Sequence, residues 1–208
     1  MCFGDSNTYG AVPSLARQGG QRFSYDRRWP GLLARALGPS WDIIEEGHPG
    51  RTTVHDDPIE GANKNGLKAL SICLESHIPL DLVVLMLGTN DLKHRFSVTA
   101  GDIADGIECL VRSIKASQAG NGGASPAILV VAPSPIAEIG RFGEMFTGGA
   151  AKSQRLGALI RDAAQRNDVH FMDAGELVES SAIDGIHLDS DAHRVLAGAI
   201  ATKIGTIF

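Results

Sequence analysis

Asp81-Leu82-Val83-Val84-Leu85-Met86-Leu87-Gly88-Thr89-Asn90-Asp91 decides how this chain folds. After Asp81 the run is apolar, with no alternation of polar and apolar positions. Such a run predicts a strand covered on both faces, the kind that parallel sheets contain. Gly88-Thr89-Asn90-Asp91 then supplies a polar turn. Parallel strands need long crossover connections, usually helical, and the flanking segments have that periodicity. Residues 63–77 place Leu67, Leu70, Cys73 and Leu74 at three- and four-residue steps. Residues 99–119 place Ile103, Ile107, Leu110, Val111 and Ile114 on one side, with Thr99 as the cap.

The same alternation extends in both directions. Residues 1–3 and 41–46 read as strands one and two. Residues 127–132 and 169–172 read as strands four and five. Helices are expected over 29–37, 150–167 and 190–207. Pro30 sits near the first turn of the 29–37 helix, and Gly38-Pro39 ends it. Residues 11–28 read as a surface loop, 47–53 as the loop after strand two, and Asn121-Gly122-Gly123 as a break within the domain. The long 133–149 segment reads as a pocket wall or lid. Five strands alternating with helices make an α/β protein: a parallel sheet with helices on both faces. One domain over 1–208 is expected. The first strand holds only three residues, so the natural chain is expected to begin a few residues earlier.

Composition narrows the partners. The chain has 208 residues, 43% hydrophobic and 21% charged, as soluble globular proteins do. Net charge is -5 without a long block of one sign, which points away from nucleic acid and anionic membrane as partners. No apolar run reaches the length of a membrane helix. A charged start followed by an apolar core, the mark of a signal peptide, is absent. Cys2, Cys73 and Cys109 are odd in number and lack Cys-x-x-Cys spacing, so reduced thiols and a cytoplasmic location are expected.

Chemistry is expected at the carboxyl ends of the strands, where open α/β sheets bind ligands. Gly4-Asp5-Ser6-Asn7-Thr8 follows the first strand and offers Ser6 as a nucleophile. Gly50 follows the second strand and can bring its N–H close to a ligand. Asn90 follows the third and carries an amide donor. With the N–H of Ser6, these two could form an oxyanion hole. Asp184-Gly185-Ile186-His187 precedes the last helix. If that segment is helical, the carboxylate lies one turn from the imidazole and can fix its tautomer. The competing reading makes Asp184 a helix cap and His187 a surface residue.

These blocks resemble the SGNH, or GDSL, hydrolases. Gly4-Asp5-Ser6 matches the first block, Gly50 the second, Gly88-Thr89-Asn90-Asp91 the third, and Asp184-Gly185-Ile186-His187 the fifth. The resemblance implies a three-layer, flavodoxin-like sandwich. It also implies a serine esterase with Ser6, Asp184 and His187 as catalytic residues. Ser6, Gly50 and Asn90 would then form the oxyanion hole. Arg28-Trp29, Ile44-Glu45-Glu46-Gly47, Arg51-Thr52-Thr53, Asp56-Asp57-Pro58 and Pro79-Leu80-Asp81-Leu82 further resemble bacterial arylesterases and acyltransferases, a subgroup that often forms homo-oligomers. Asn7 stands where the family's short name has leucine, a change expected to matter little.

The expected partner is a small-molecule ester, with no cofactor or metal. Acyl transfer to alcohols accompanies hydrolysis in this reading. One rival is an O-acetyl esterase acting on carbohydrate through the same residues; another is a non-catalytic binding protein that keeps the fold. No Gly-x-Ser-x-Gly elbow, Walker A or Gly-x-Gly-x-x-Gly is present. His48, His55, Asp56 and Asp57 match no zinc spacing. His77, His94, His170 and His193 read as surface or helix-end residues, and Lys93 and Arg95 as solvated charges near the pocket entrance.

Overall fold

The computed structural model describes residues 1–15 and 20–208; residues 16–19 of the predicted 11–28 loop lie outside the described residues. Strand β3, Leu82–Met86, sits at the centre of a five-stranded sheet. Around it lie β1 (Cys2–Gly4), β2 (Glu45–Gly47), β4 (Ala127–Ala132) and β5 (His170–Asp173), in the order β2-β1-β3-β4-β5. Every pairing is parallel. This is the flavodoxin-like order, whose switch point lies between β1 and β3. The loops leaving those two strands diverge there and leave a crevice.

The unbroken apolar run of β3 is explained by its two faces. Val83, Leu85 and Leu87 point into one core with Phe3, Ile128 and Val130. That core is closed by helices α3 (Gly66–Ser76), α4 (Ala100–Ala116) and α6 (Leu156–Arg166). Leu82, Val84 and Met86 point the other way, with Leu129 and Val131. There they meet α2 (Trp29–Leu37) and the last helix, α7 (Ser190–Ile204). Each fully buried leucine or valine stabilises the fold by about 1.5–3 kcal/mol relative to exposure. A polar residue at any of these positions would enter a core, which is why alternation is absent. Two short helices, α1 (Ser6–Tyr9) and α5 (Gly149–Ser153), lie outside these layers.

Helix starts follow their side chains. Thr99 caps α4 in a full capping box with Asp102. Asn65 caps α3 by accepting from Lys68 N. The predicted 63–77 helix is therefore divided into a single 3₁₀ turn, Ala62–Lys64, and α3. The predicted 150–167 helix is also two elements, α5 and α6. Ser153 Oγ donates to Ala150 O and accepts from Ile136 N, tying the end of α5 to the neighbouring loop.

Strand β2 is shorter than the predicted 41–46. Its ladder pairs Glu45, Glu46 and Gly47 with Cys2, Phe3 and Gly4, so Trp41 and Ile43 run past the end of β1 with no strand to pair with. Both instead pack against the core beneath α2 and α7. No described helix is long and apolar enough to cross a membrane.

Candidate active site

Gly4 is the last residue of β1 and lies close to β3. A Cβ there would stand 2.8 Å from Met86 O and even closer to Thr8 Oγ1. The tight approach lets the chain turn straight from the strand into α1. Asp5 caps α1 by accepting from Asn7 N at 2.9 Å. Ser6 is its first residue, 6% exposed, and faces a cavity of about 360 Å³. Ser6 Oγ makes no hydrogen bond with a described residue; apo sites often hold such groups slack until substrate binds.

Gly50, Asn90 and His187 line the same cavity. The turn after β2 gives Gly50 a φ of +81°, which favours glycine. The backbone N–H groups of Ser6 and Gly50 donate to no described residue. Asn90 Nδ2 donates to Arg51 O at 3.1 Å and makes a longer 3.4 Å contact with Asp5 Oδ2. Both neighbours are acceptors, so the amide nitrogen, not its oxygen, must face them.

His187 and Asp184 lie in a turn, not in the helix that would have placed them one turn apart. Gly185 takes φ +75° and folds the segment back on itself. Asp184 Oδ2 accepts from His187 Nδ1 at 2.8 Å, while Oδ1 accepts from the backbone N–H groups of Ile186 and His187. Ser14 N adds a fourth bond at 3.0 Å. Burial pushes the Asp184 carboxyl up, but the His187 side-chain and backbone bonds prevail and hold it at about 2. The ring nitrogen left over on His187 is free to meet a proton donor in the cavity. The helix-cap alternative is ruled out: α7 is capped by Asp189, which accepts from Ala192 N at 2.9 Å. His187 is 7% exposed, not a surface residue.

Several residues position this set although the sequence assigned them no role. Asn7 Nδ2 donates to Ile186 O at 3.2 Å, and Asn7 Oδ1 accepts from Leu188 N at 2.9 Å. The side chain after Ser6 therefore grips both neighbours of His187 through two bonds that a leucine could not form. The only hint was its place beside Ser6. Asp91, fully buried, accepts from Thr53 N and from Thr53 Oγ1, tying the loop after β3 to the loop after β2. Arg51 bonds Gly4 O and Glu46 O and lies 4.2 Å over the Phe3 ring, joining the ends of β1 and β2. Burial raises Asp5 to about 6 against the bond from Asn7 N.

Three other expectations change. Lys93 is 2% exposed and paired with Asp57 and Glu60, so it is a buried cavity-lining charge, not a solvated one. Arg95 pairs with Asp57 as well. His193 is fully buried in α7, and its Nδ1 accepts from Trp29 N. Its burial lowers its pKa to about 4. The 133–149 segment does form a cavity wall, through Arg141, Phe142, Met145 and Phe146. Among the described residues no three His, Cys, Asp or Glu side chains gather as metal ligands would.

The model of the GDSL-like lipase/acylhydrolase family matches residues 2–195. The chain belongs to the GDSL-like lipase/acylhydrolase family. This GDSL chain is thus a hydrolase of carboxylic esters. It is similar to the structure of the native aryl esterase of M. smegmatis, with 40% identity and a TM-score of 0.95, covering 100% of this chain and 98% of that one. A carbohydrate acetylesterase from Sinorhizobium meliloti is 42% identical, with a TM-score of 0.95 and the same coverage of both chains. A carbohydrate acetylesterase family member from the same organism is 37% identical at a TM-score of 0.88, covering 98% of this chain and 97% of that one. No curated protein matches the chain.

Proposed function

We propose that this GDSL hydrolase cleaves small carboxylic esters through an acyl-enzyme on Ser6. His187 takes the Ser6 proton as Oγ attacks the carbonyl carbon. Asp184, ionised down to about pH 2, orients His187 and stabilises its charged form. The N–H groups of Ser6 and Gly50 hold the oxyanion together with the Asn90 amide, which gives up its long 3.4 Å contact with Asp5 to do so. His187 then gives its proton to the leaving alcohol, and the acyl C–O bond to that alcohol breaks. Water, or a second alcohol in a transfer reaction, releases the acyl group by the reverse proton path.

One observation carries this reading: Ser6, Gly50, Asn90 and His187 line a single cavity while Asp184 holds the far nitrogen of His187. A cavity near 360 Å³ suits a small ester. Acyl transfer and homo-oligomerisation rest on the arylesterase and acyltransferase resemblance. One domain is supported by a family match that spans residues 2–195, and a cytoplasmic location by the three free cysteines.

The test is Ser6→Ala assayed on p-nitrophenyl acetate, with a fluorophosphonate probe on the unmodified enzyme. Turnover should fall to background and the probe should label Ser6. Full turnover by the variant would end the proposal.

A further inference from the structure

The cavity beside Ser6 is lined by apolar side chains, among them Val12, Phe142, Met145 and Phe146, and by the charged Glu60, Lys64, Lys93 and Arg141. The proposed reaction uses none of these four charges.

Glu60 is held from one side only. Its Oε1 accepts from Lys93 Nζ at 2.9 Å, and Lys93 is itself fixed by Asp57 at 3.2 Å. Asp57 also accepts from the N–H groups of Ile59 and Glu60 and from Arg95. The turn that carries Glu60 is thereby set before any ligand arrives, while the Glu60 side chain, 32% exposed, is held through Oε1. Glu60 Oε2 accepts from no described residue. It points at the glycine of the proposed oxyanion hole: a Cβ built on Gly50 would lie 2.5 Å from it.

Lys64 flanks that same point. Its Cε would lie 3.4 Å from the same Cβ. Its ammonium contacts His48 Nε2 and donates to Pro49 O, each at 3.0 Å, which leaves one of three protons unassigned. Glu60 and Lys64 do not pair with each other; the ion partners of Glu60 are Lys93 and Arg95. An acceptor and a donor that do not pair with each other thus both stand beside Gly50.

We propose that Glu60 Oε2 and Lys64 Nζ together bind a hydroxyl on one arm of the ester, which makes them specificity residues for hydroxylated esters. The inference rests on the esterase reading of Ser6. A hydroxyl is the smallest group that donates and accepts at once. A carboxylate would meet Glu60 and be repelled, an ammonium would meet Lys64, and a methyl would desolvate both without replacing their water.

Two matched ester pairs test this in the full-length enzyme. Propyl acetate and 2-hydroxyethyl acetate differ by a hydroxyl on the alcohol arm. Ethyl propanoate and ethyl glycolate differ by one on the acyl arm. Intrinsic reactivity cancels when the kcat/KM ratio of a pair is compared between the enzyme and a variant. Glu60→Gln can still accept from Lys93 while presenting an amide N–H to the cavity, and Lys64→Met keeps the stem against Gly50. In one pair the ratio should fall about tenfold in both variants, mainly through KM, as loss of a charge-assisted hydrogen bond requires. The pair that responds identifies the arm. Ratios within roughly twofold of the original in both pairs, even with lower activity overall, would make Glu60 and Lys64 merely structural and overturn the proposal. Absence of turnover of all four esters by the unmodified enzyme, with no fluorophosphonate adduct on Ser6, would remove the esterase reading instead.

Discussion

Asn7 Oδ1 accepts a 2.9 Å hydrogen bond from Leu188 N, across 181 residues of sequence. With the Asn7 bond to Ile186 O, it brackets His187 from both sides. The residue after the candidate nucleophile thus carries the candidate base. Asn7→Leu should leave a buried N–H and a buried carbonyl without partners, costing about 1–3 kcal/mol for each group that water cannot reach. Urea unfolding should show the loss, and kcat on p-nitrophenyl acetate should fall at least tenfold as His187 loosens. An unchanged midpoint and unchanged kcat would mean that the clamp has no role.

Asp184→Asn should be more damaging to turnover than to folding. The amide could donate to His187 Nδ1 and so favour the wrong tautomer. It would also meet the three backbone N–H groups, of Ser14, Ile186 and His187, from which the carboxylate now accepts. Turnover should drop by about 10³-fold or more, with KM changed little. A kcat within tenfold of the original would show that Asp184 does not orient the base.

Asn90→Ala removes one of three proposed oxyanion donors. Transition-state stabilisation should fall by about 3–4 kcal/mol, read as a loss in kcat. The same variant frees the Arg51 carbonyl, so its unfolding midpoint must be measured beside the kinetics. A rise in KM with kcat preserved would mean that Asn90 binds substrate and transition state equally and is no oxyanion donor.

Two buried carboxylates should give stability opposite pH slopes. Asp184 is depressed to about 2, below its usual 3.8, so its contribution is present above the unfolded value and is lost as pH falls from about 4 through 2. Asp5 is raised to about 6, so its contribution is full below its usual 3.8 and lost as pH rises through 6. Asp5→Asn keeps an acceptor for Asn7 N without the charge. It should stabilise the protein at pH 7.5 by about 2–3 kcal/mol and hardly at all at pH 4, by urea unfolding. Equal effects at both pH values would refute the Asp5 assignment.

Gly4→Ala tests the close approach of β1 to β3. The added methyl would meet backbone at Met86 O, which cannot rotate away, and Thr8 Oγ1. Overpacking of this kind costs about 1–3 kcal/mol. Thermal unfolding should register it, and an unchanged Tm would show that the strand end yields freely.

What the residues alone determined was local. The apolar run 82–86 could only be a strand covered on both faces, and the helix at 100–116 could be read from its periodicity and its Thr99 cap. Ser6, Gly50, Asn90, Asp184 and His187 stood out because turn chemistry at strand ends is written in short stretches. Tertiary structure decided whatever depends on partners far along the chain. It started β2 only at Glu45, since among the described residues no strand lies opposite Trp41 and Ile43. It buried Lys93 against Asp57 and Glu60, and His193 against Trp29. It formed the Asp184–His187 pair in a turn, where the spacing alone had suggested contact only if the segment were helical. A charge or a histidine looks the same in sequence whether water or a carboxylate waits for it; only the folded chain supplies that neighbour.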